Sequence, residues 1–223
     1  MVRSRTKVKD ISPLRKMIKL EDLTLDHSKV SDLTALQDLI NIKTLNLECS
    51  PGKISWWLCD TISHFDDISP LSGLTKLEKL DLSSSRITNI DALHNLNELK
   101  WLSLLHTNIK DITSLSKLTK IESLNLGETS IDSVHEIGEL HKLSDLNISF
   151  TEVDDLSPLS DSDHLIRIKM HGLEVKTLRP IIQLKGLRQV DVDFSGITKD
   201  LSDEFNSKRY ELNLDPVRFV FND

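Results

Sequence analysis

Aromatic residues make up only 4% of this 223-residue chain, and other residue types that commonly carry chemistry are scarce too. Two cysteines occur, Cys49 and Cys59, too few for a disulfide framework and at a spacing that fits neither a zinc site nor a redox pair. They are read as free thiols in a reducing compartment. Lysine and arginine number 28 against 35 aspartates and glutamates, a formal charge of −7. An acidic chain offers no basic stripe to phosphates, which argues against nucleic acid as a partner. No apolar run approaches the ~18 residues needed to cross a bilayer, so no membrane span is expected. The basic start, Met1 to Lys9, is not followed by the apolar stretch of a secretion signal. These absences predict a cytoplasmic protein.

What the chain does have is a period. Leu77, Leu99, Ile121, Leu143, Leu165 and Leu187 recur every 22 residues, and each opens the pattern L-x-x-L-x-L. Counting each of these as the first position of a turn, the first, fourth and sixth positions form an apolar ladder. Leu77, Leu80 and Leu82 are followed by Leu99, Leu102 and Leu104, and the frame holds to Leu187, Val190 and Val192. Two earlier turns read Leu20, Leu23, Leu25 and Ile42, Leu45, Leu47, and the arithmetic places a last strand at Leu212 and Leu214. A unit this short cannot bury its own apolar face, so neighbouring turns must stack into one rod.

Alternation around the fourth to sixth positions predicts a short strand, because successive side chains of an extended backbone point to opposite faces. The apolar spacing then changes to three, as in Ile87, Ile90, Leu93 and Leu96, which predicts a tight helical or 3₁₀ turn on the opposite side. Ile11-Ser12-Pro13-Leu14, Ile68-Ser69-Pro70-Leu71 and Leu156-Ser157-Pro158-Leu159 mark the starts of such turns, with serine as the expected cap and proline at the first helical position.

From about residue 10 to residue 214 the chain resembles leucine-rich repeat proteins of the 22-residue, internalin-like class, which is shared with eukaryotic phosphatase-regulatory subunits. The resemblance implies an α/β fold: a right-handed solenoid with a parallel concave β-sheet and short helical or 3₁₀ turns on its convex side. It also implies protein binding, and it does not imply a substrate. Many members place asparagine where this chain has Ser28, Ser85, Thr107, Thr129, Thr151, Leu173 and Ser195. Hydroxyls there would bond the neighbouring turn less completely than an amide, and Leu173 has no group to contribute. The expected organisation is an amino-terminal cap over 1–19, repeats over 20–200 and a carboxy-terminal cap over 201–223. Ile11, Leu14, Met17 and Ile18 would close one end. A short helix with Leu201 and Phe205, then a hairpin through Asp215-Pro216 to Phe221, would close the other.

The period breaks once: Ile42 and Leu77 are 35 residues apart, which leaves a loop at about 50–62 before Phe65, Ile68, Leu71 and Leu74 restore the frame. Insertions in repeat proteins often serve binding, and this one holds Trp56 and Trp57, a residue type enriched where interfaces take their energy. Both could equally fold onto their own turn. The outward third, fifth, seventh and eighth positions form the second candidate surface. Trp101 and Leu105 are apolar there, among Asp81, His106, Asp145, Phe150, Arg167 and Lys169. An apolar anchor with a polar rim is the pattern of a protein interface, although single exposed apolar residues also occur without function.

No catalytic pattern accompanies this surface. The sequence has no glycine-rich phosphate loop, nucleophile elbow or paired-histidine motif. Cys59 stands near His64, a thiol beside a base, with no third group to orient them. His106 and His171 are separated from Asp81, Glu128 and Asp145 by rungs spaced ~4.8 Å apart. The reading is therefore not an enzyme, with no catalytic residue, metal or cofactor. It is a cytoplasmic protein-interaction module, either an inhibitor or immunity-type protein that occludes a partner or a regulatory or targeting subunit of an enzyme such as a phosphatase.

Overall fold

Side chains of three consecutive extended residues point out, in and out, so each strand of this chain needs only one buried residue. The computed structural model describes residues 8–49, 65–175, 177–193, 195 and 197–221. Among these residues are nine three-residue strands: β1 (Asp22–Thr24), β2 (Thr44–Asn46), β3 (Lys79–Asp81), β4 (Trp101–Ser103), β5 (Ser123–Asn125), β6 (Asp145–Asn147), β7 (Arg167–Lys169), β8 (Gln189–Asp191) and β9 (Arg218–Val220). They form one parallel sheet in chain order. From β3 to β8 each residue pairs with the one 22 positions on, as Leu80 does with Leu102 and Leu102 with Leu124. Leu45 pairs with Leu80 across the insertion, so the extra residues leave the stack without shifting its register.

The first, fourth and sixth positions are buried in every turn from Ile42 to Val192, while Leu20, Leu23 and Leu25 in the end turn are only half-buried. Behind the sheet, 3₁₀ segments such as Ser69–Leu71, Asp91–Leu93, Thr113–Leu115 and Ser157–Leu159 carry the buried residues of spacing three. Their caps differ from the expectation. Ser12, Ser69 and Ser157 do not cap by side chain. Their amides are instead received by Asp10, Asp67 and Asp155, each at 2.8 Å and two residues earlier. Asp32, Asn89, Asp111, Ser133 and Thr177 do the same in the other turns. A side-chain oxygen two residues ahead replaces a carbonyl that the entering chain cannot supply.

On the sheet side β3 to β7 each lead into a left-handed residue at the eighth position of the turn: Ser84, His106, Glu128, Phe150 and Gly172, with φ between 54° and 69°. The hydroxyls of Ser85, Thr107, Thr129 and Thr151 then turn back to the carbonyl three residues earlier in their own turn, at 2.6 to 2.8 Å. That corrects the expectation of a hydroxyl ladder between turns. Backbone provides the link, as in Ser84 N–H to Leu105 O and Phe150 N–H to His171 O. The turn at Gly172 stays regular without a hydroxyl, since Gly172 N–H reaches Asp193 O at 2.7 Å and Leu173 is fully buried.

The ends depart from the sequence reading. Met17 and Ile18 are exposed, so Ile11 and Leu14 alone of the expected four pack against the core. At the other end, Leu212 and Leu214 do not form a strand. Helix α1 (Lys199–Glu211), capped by Thr198, occupies the residues before that point and ends at Leu212, and the chain then returns as β9, parallel to β8 and not as a hairpin. Phe205 packs edge-on against Phe219, and Asn206 clasps both the N–H and the C=O of Val217. Arg209 is fully buried in this cap. Its Nε donates to Asp215 O, and Nη1 donates to Ile182 O and Leu184 O, carbonyls at the end of the last 3₁₀ turn.

Candidate functional site

Because the strands are in register, residues at one position of successive turns line up as rows across the concave face. The third-position row reads Lys79, Trp101, Ser123, Asp145, Arg167 and Gln189, and the fifth reads Asp81, Ser103, Asn125, Asn147, Lys169 and Asp191. Trp101 is half-exposed and is the only aromatic in either row. A hollow lies on each side of it. One, about 230 Å³, is bounded by Thr44, Asn46, Lys79 and Asp81; the other, about 210 Å³, has Ser123, Asn125 and Asn147 as its floor and Asp145, Arg167 and Lys169 beyond. The small side chain of Ser123, next to Trp101 in register, leaves that side of the indole uncovered.

The fifth-position side chains do structural work. Asn46, Asn125 and Asn147 each accept the backbone N–H two residues on, and Asn147 also donates to Asn125 at 2.8 Å. Asp81 plays the same part for Ser83 N–H at 2.9 Å and accepts the Ser83 hydroxyl as well. Burial nevertheless pushes the Asp81 carboxyl above the usual range, outweighing the two bonds from Ser83 that favour its charge.

Two of the other apolar candidates lie over glycines of the next turn. A Cβ on Gly127 would stand 3.1 Å from Leu105 Cδ1, and one on Gly172 would stand 2.5 Å from the Phe150 ring. Leu105 is thereby half-buried. Phe150 stays 50% exposed and also stacks on the His171 ring, 6.4 Å between centroids. His106 Nδ1 meets Glu128 at 3.0 Å on the exposed rim, and Arg167 reaches across β6 to Asp145 at 3.8 Å. Thus Trp101, Asp145, Arg167 and Lys169 converge on one hollow, Asp81 lies in the other, and Leu105, His106 and Phe150 line the rim. Trp56 and Trp57, like Cys59 and His64, lie outside the described residues.

Sequence reasoning missed one constellation. Ser149, His171 and Asp193 occupy three successive turns at the seventh position, the residue types of a nucleophile, a base and an orienting acid. His171 Nδ1 lies 3.0 Å from Asp193 Oδ2 but without the alignment of a hydrogen bond. Ser149 is buried, and its oxygen already accepts the His171 backbone N–H at 3.1 Å. The Ser149 oxygen thus links its turn to the backbone of the next. Among the described residues no three or more His, Cys, Asp or Glu side chains cluster as a metal site, and no helix is long and apolar enough to cross a membrane.

No protein-family model matches the sequence, and no curated protein does. Solved structures do. Internalin C2 from Listeria monocytogenes is 27% identical, with a TM-score of 0.67 over 74% of this chain and 67% of its own. A leucine-rich repeat protein of Leptospira interrogans superposes with a TM-score of 0.79 over 96% of this chain, which spans about half (52%) of that protein, at 22% identity. The chain has the leucine-rich repeat fold, with turns of 22 residues. A plant peptide hormone receptor, RGFR1 in complex with RGF2, shares the fold at 15% identity and a TM-score of 0.66; this chain covers 33% of it. In the leucine-rich repeat frame, the rows described above are the concave face of the solenoid, and Trp101 is near its middle.

Proposed function

We propose that this leucine-rich repeat protein is a protein-binding module whose concave face grips a partner around Trp101. The observation that carries the reading is a half-exposed tryptophan between two hollows, in a third-position row whose other members, Lys79, Ser123, Asp145, Arg167 and Gln189, are polar. Indole removes a large area from water while losing few rotamers, and such side chains in partly desolvated settings dominate interface energies. The peptide hormone receptor of the same fold, whose structure includes RGF2, is in keeping with this use of the architecture.

The finer role proposed is that of a cytoplasmic inhibitor or immunity-type protein, which occludes its partner by covering it. Tagged wild-type chain and a Trp101→Ala variant, each exposed to native lysate, test the binding reading. Wild type retains a partner that the variant loses, with affinity down about tenfold to a hundredfold and melting temperature unchanged. Equal retention by the two chains overturns it. The activity of the captured partner then decides the role: occlusion abolishes it, whereas a targeting subunit redirects it and leaves it measurable.

A further inference from the structure

The chain carries a net charge of −7, yet the hollow on the β6–β7 side of Trp101 is locally positive. Arg167, Lys169 and Asp145 are its charged groups, two cations and one carboxylate. Arg167 shares its charge with Asp145 only at 3.8 Å, a loose pair with both side chains nearly half exposed. Lys169 has no ion-pair partner among the described residues. Its neighbour in register, Asp191, is buried and takes the Gln189 side-chain amide at 2.5 Å. The rest of the lining is neutral: Ser123, Asn125 and Asn147 supply hydroxyl and amide groups, and the indole supplies the apolar wall. Elsewhere on this face the charges lean the other way, with Asp22, Asp26, Glu48 and Asp81 against Lys79 toward the amino end and Asp191 and Asp193 against Arg218 beyond β7.

We propose that this hollow reads an extended segment of the partner protein that places an acidic side chain at Arg167 and Lys169 and an apolar side chain against Trp101. The inference rests on the concave-face reading above and names the partner chemistry that the reading leaves open. The spacing follows from the stack. Trp101 is on β4 and the Arg167 guanidinium reaches back over β6, so two rungs of ~4.8 Å separate the groups, about 10 Å. An extended chain rises ~3.3 Å per residue, so the apolar and acidic residues stand about three positions apart. Electrostatic complementarity of this kind sets partner choice more than total affinity.

Selection of a random linear peptide library on the full-length chain tests it. Wild type enriches peptides with aspartate or glutamate about three residues from a large apolar residue, and changing that acid to its amide weakens binding about tenfold. The Arg167→Gln, Lys169→Gln double variant loses the discrimination between acid and amide, and the Arg167→Glu, Lys169→Glu variant selects basic residues at that place. Enriched peptides without an acid, or a preference for acid that survives both variants, overturn the inference. If those peptides still depend on Trp101, the concave-face reading stands without it. If wild type enriches no peptide, the acidic-segment inference fails, while the lysate capture with Trp101→Ala decides the broader reading separately.

Discussion

Gly172 carries two demands at once: a φ of 69°, and a Phe150 ring where a Cβ would be. Gly172→Ala therefore costs roughly 1–3 kcal/mol in denaturant unfolding, from left-handed backbone and steric displacement together. Removing the ring isolates the second part, so Phe150→Ala combined with Gly172→Ala loses less than the two single changes added. An additive double variant would show that the ring does not rest on the glycine. Asp81 carries an opposite lesson. Its position in the fifth row is filled by asparagine in three other turns, Asn46, Asn125 and Asn147, each accepting the same amide. A carboxyl raised by burial holds its proton to higher pH in the folded chain than in the unfolded one. Its contribution is thus whole below the unfolded pKa and is lost as pH rises through the folded value. Asp81→Asn keeps the acceptor and removes the charge, so it matches wild type near pH 3 and is more stable by about 1 kcal/mol near pH 7. Equal stability at both pH values would refute the desolvation cause.

At the scale of elements, the 3₁₀ turns depend on the row of oxygens two residues ahead of them. The amides of Thr34 and Ser69 hold the carboxyls of Asp32 and Asp67 below their ordinary value of 3.8, and the Thr113 hydroxyl, followed by its amide, does so for Asp111. A depressed folded pKa means stability present above 3.8 and lost as pH falls through the folded value. Asp111→Ala lowers the melting temperature at neutral pH, and the deficit shrinks as the pH drops below 3.8 toward the folded value. Asp111→Asn leaves the melting temperature unchanged at neutral pH, as Asn89 already caps in this way, and flattens the acid dependence. Much of this architecture was legible beforehand. Strand centres, the spacing of three behind them and the return of register after the insertion follow from apolar period alone, because burial fixes them. The caps were misread because serine beside proline resembles a helix cap, whereas the acceptor stood two residues earlier in polar sequence. The last strand was misplaced because period arithmetic assumes another 22-residue turn. The Thr198 cap and the buried Phe205 and Arg209 start a 13-residue helix instead, which delays β9 to Arg218, 29 residues after its partner Gln189. Nothing in the sequence marked Arg209 as buried, since arginine on a helix is ordinarily solvated. At the site, Trp101 was readable because an apolar residue in a polar row stands out. The seats of Leu105 and Phe150 emerge only on looking 22 residues ahead, to Gly127 and Gly172.

For the whole molecule, each turn touches only its neighbours, so stability is close to a sum of turns and interfaces, and one whole turn is removable. Deleting 143–164 joins Lys142 to Leu165 and brings β5 beside β7 with every inward position unchanged. The new contact is permissive. Gly138 lies against the carbonyl of Pro158, where a Cβ would approach to 2.6 Å, and the residue that replaces Pro158 after the deletion is Pro180. The shortened chain therefore folds and unfolds cooperatively at a lower midpoint, with unaltered circular dichroism per residue. Deleting only 143–153 leaves the strand of one turn facing the 3₁₀ side of the next, and that chain does not fold. The same deletion acts on the proposed site, because it removes Asp145 and moves Arg167 and Lys169 one rung, ~4.8 Å, closer to Trp101. Peptides selected by the deletion variant then carry their acidic residue one or two positions from the apolar one, about half the wild-type spacing. A folded deletion variant that still selects the wild-type spacing would separate peptide binding from the row of Trp101, Arg167 and Lys169. A contracted spacing would show that the stack acts as the ruler by which the partner is read.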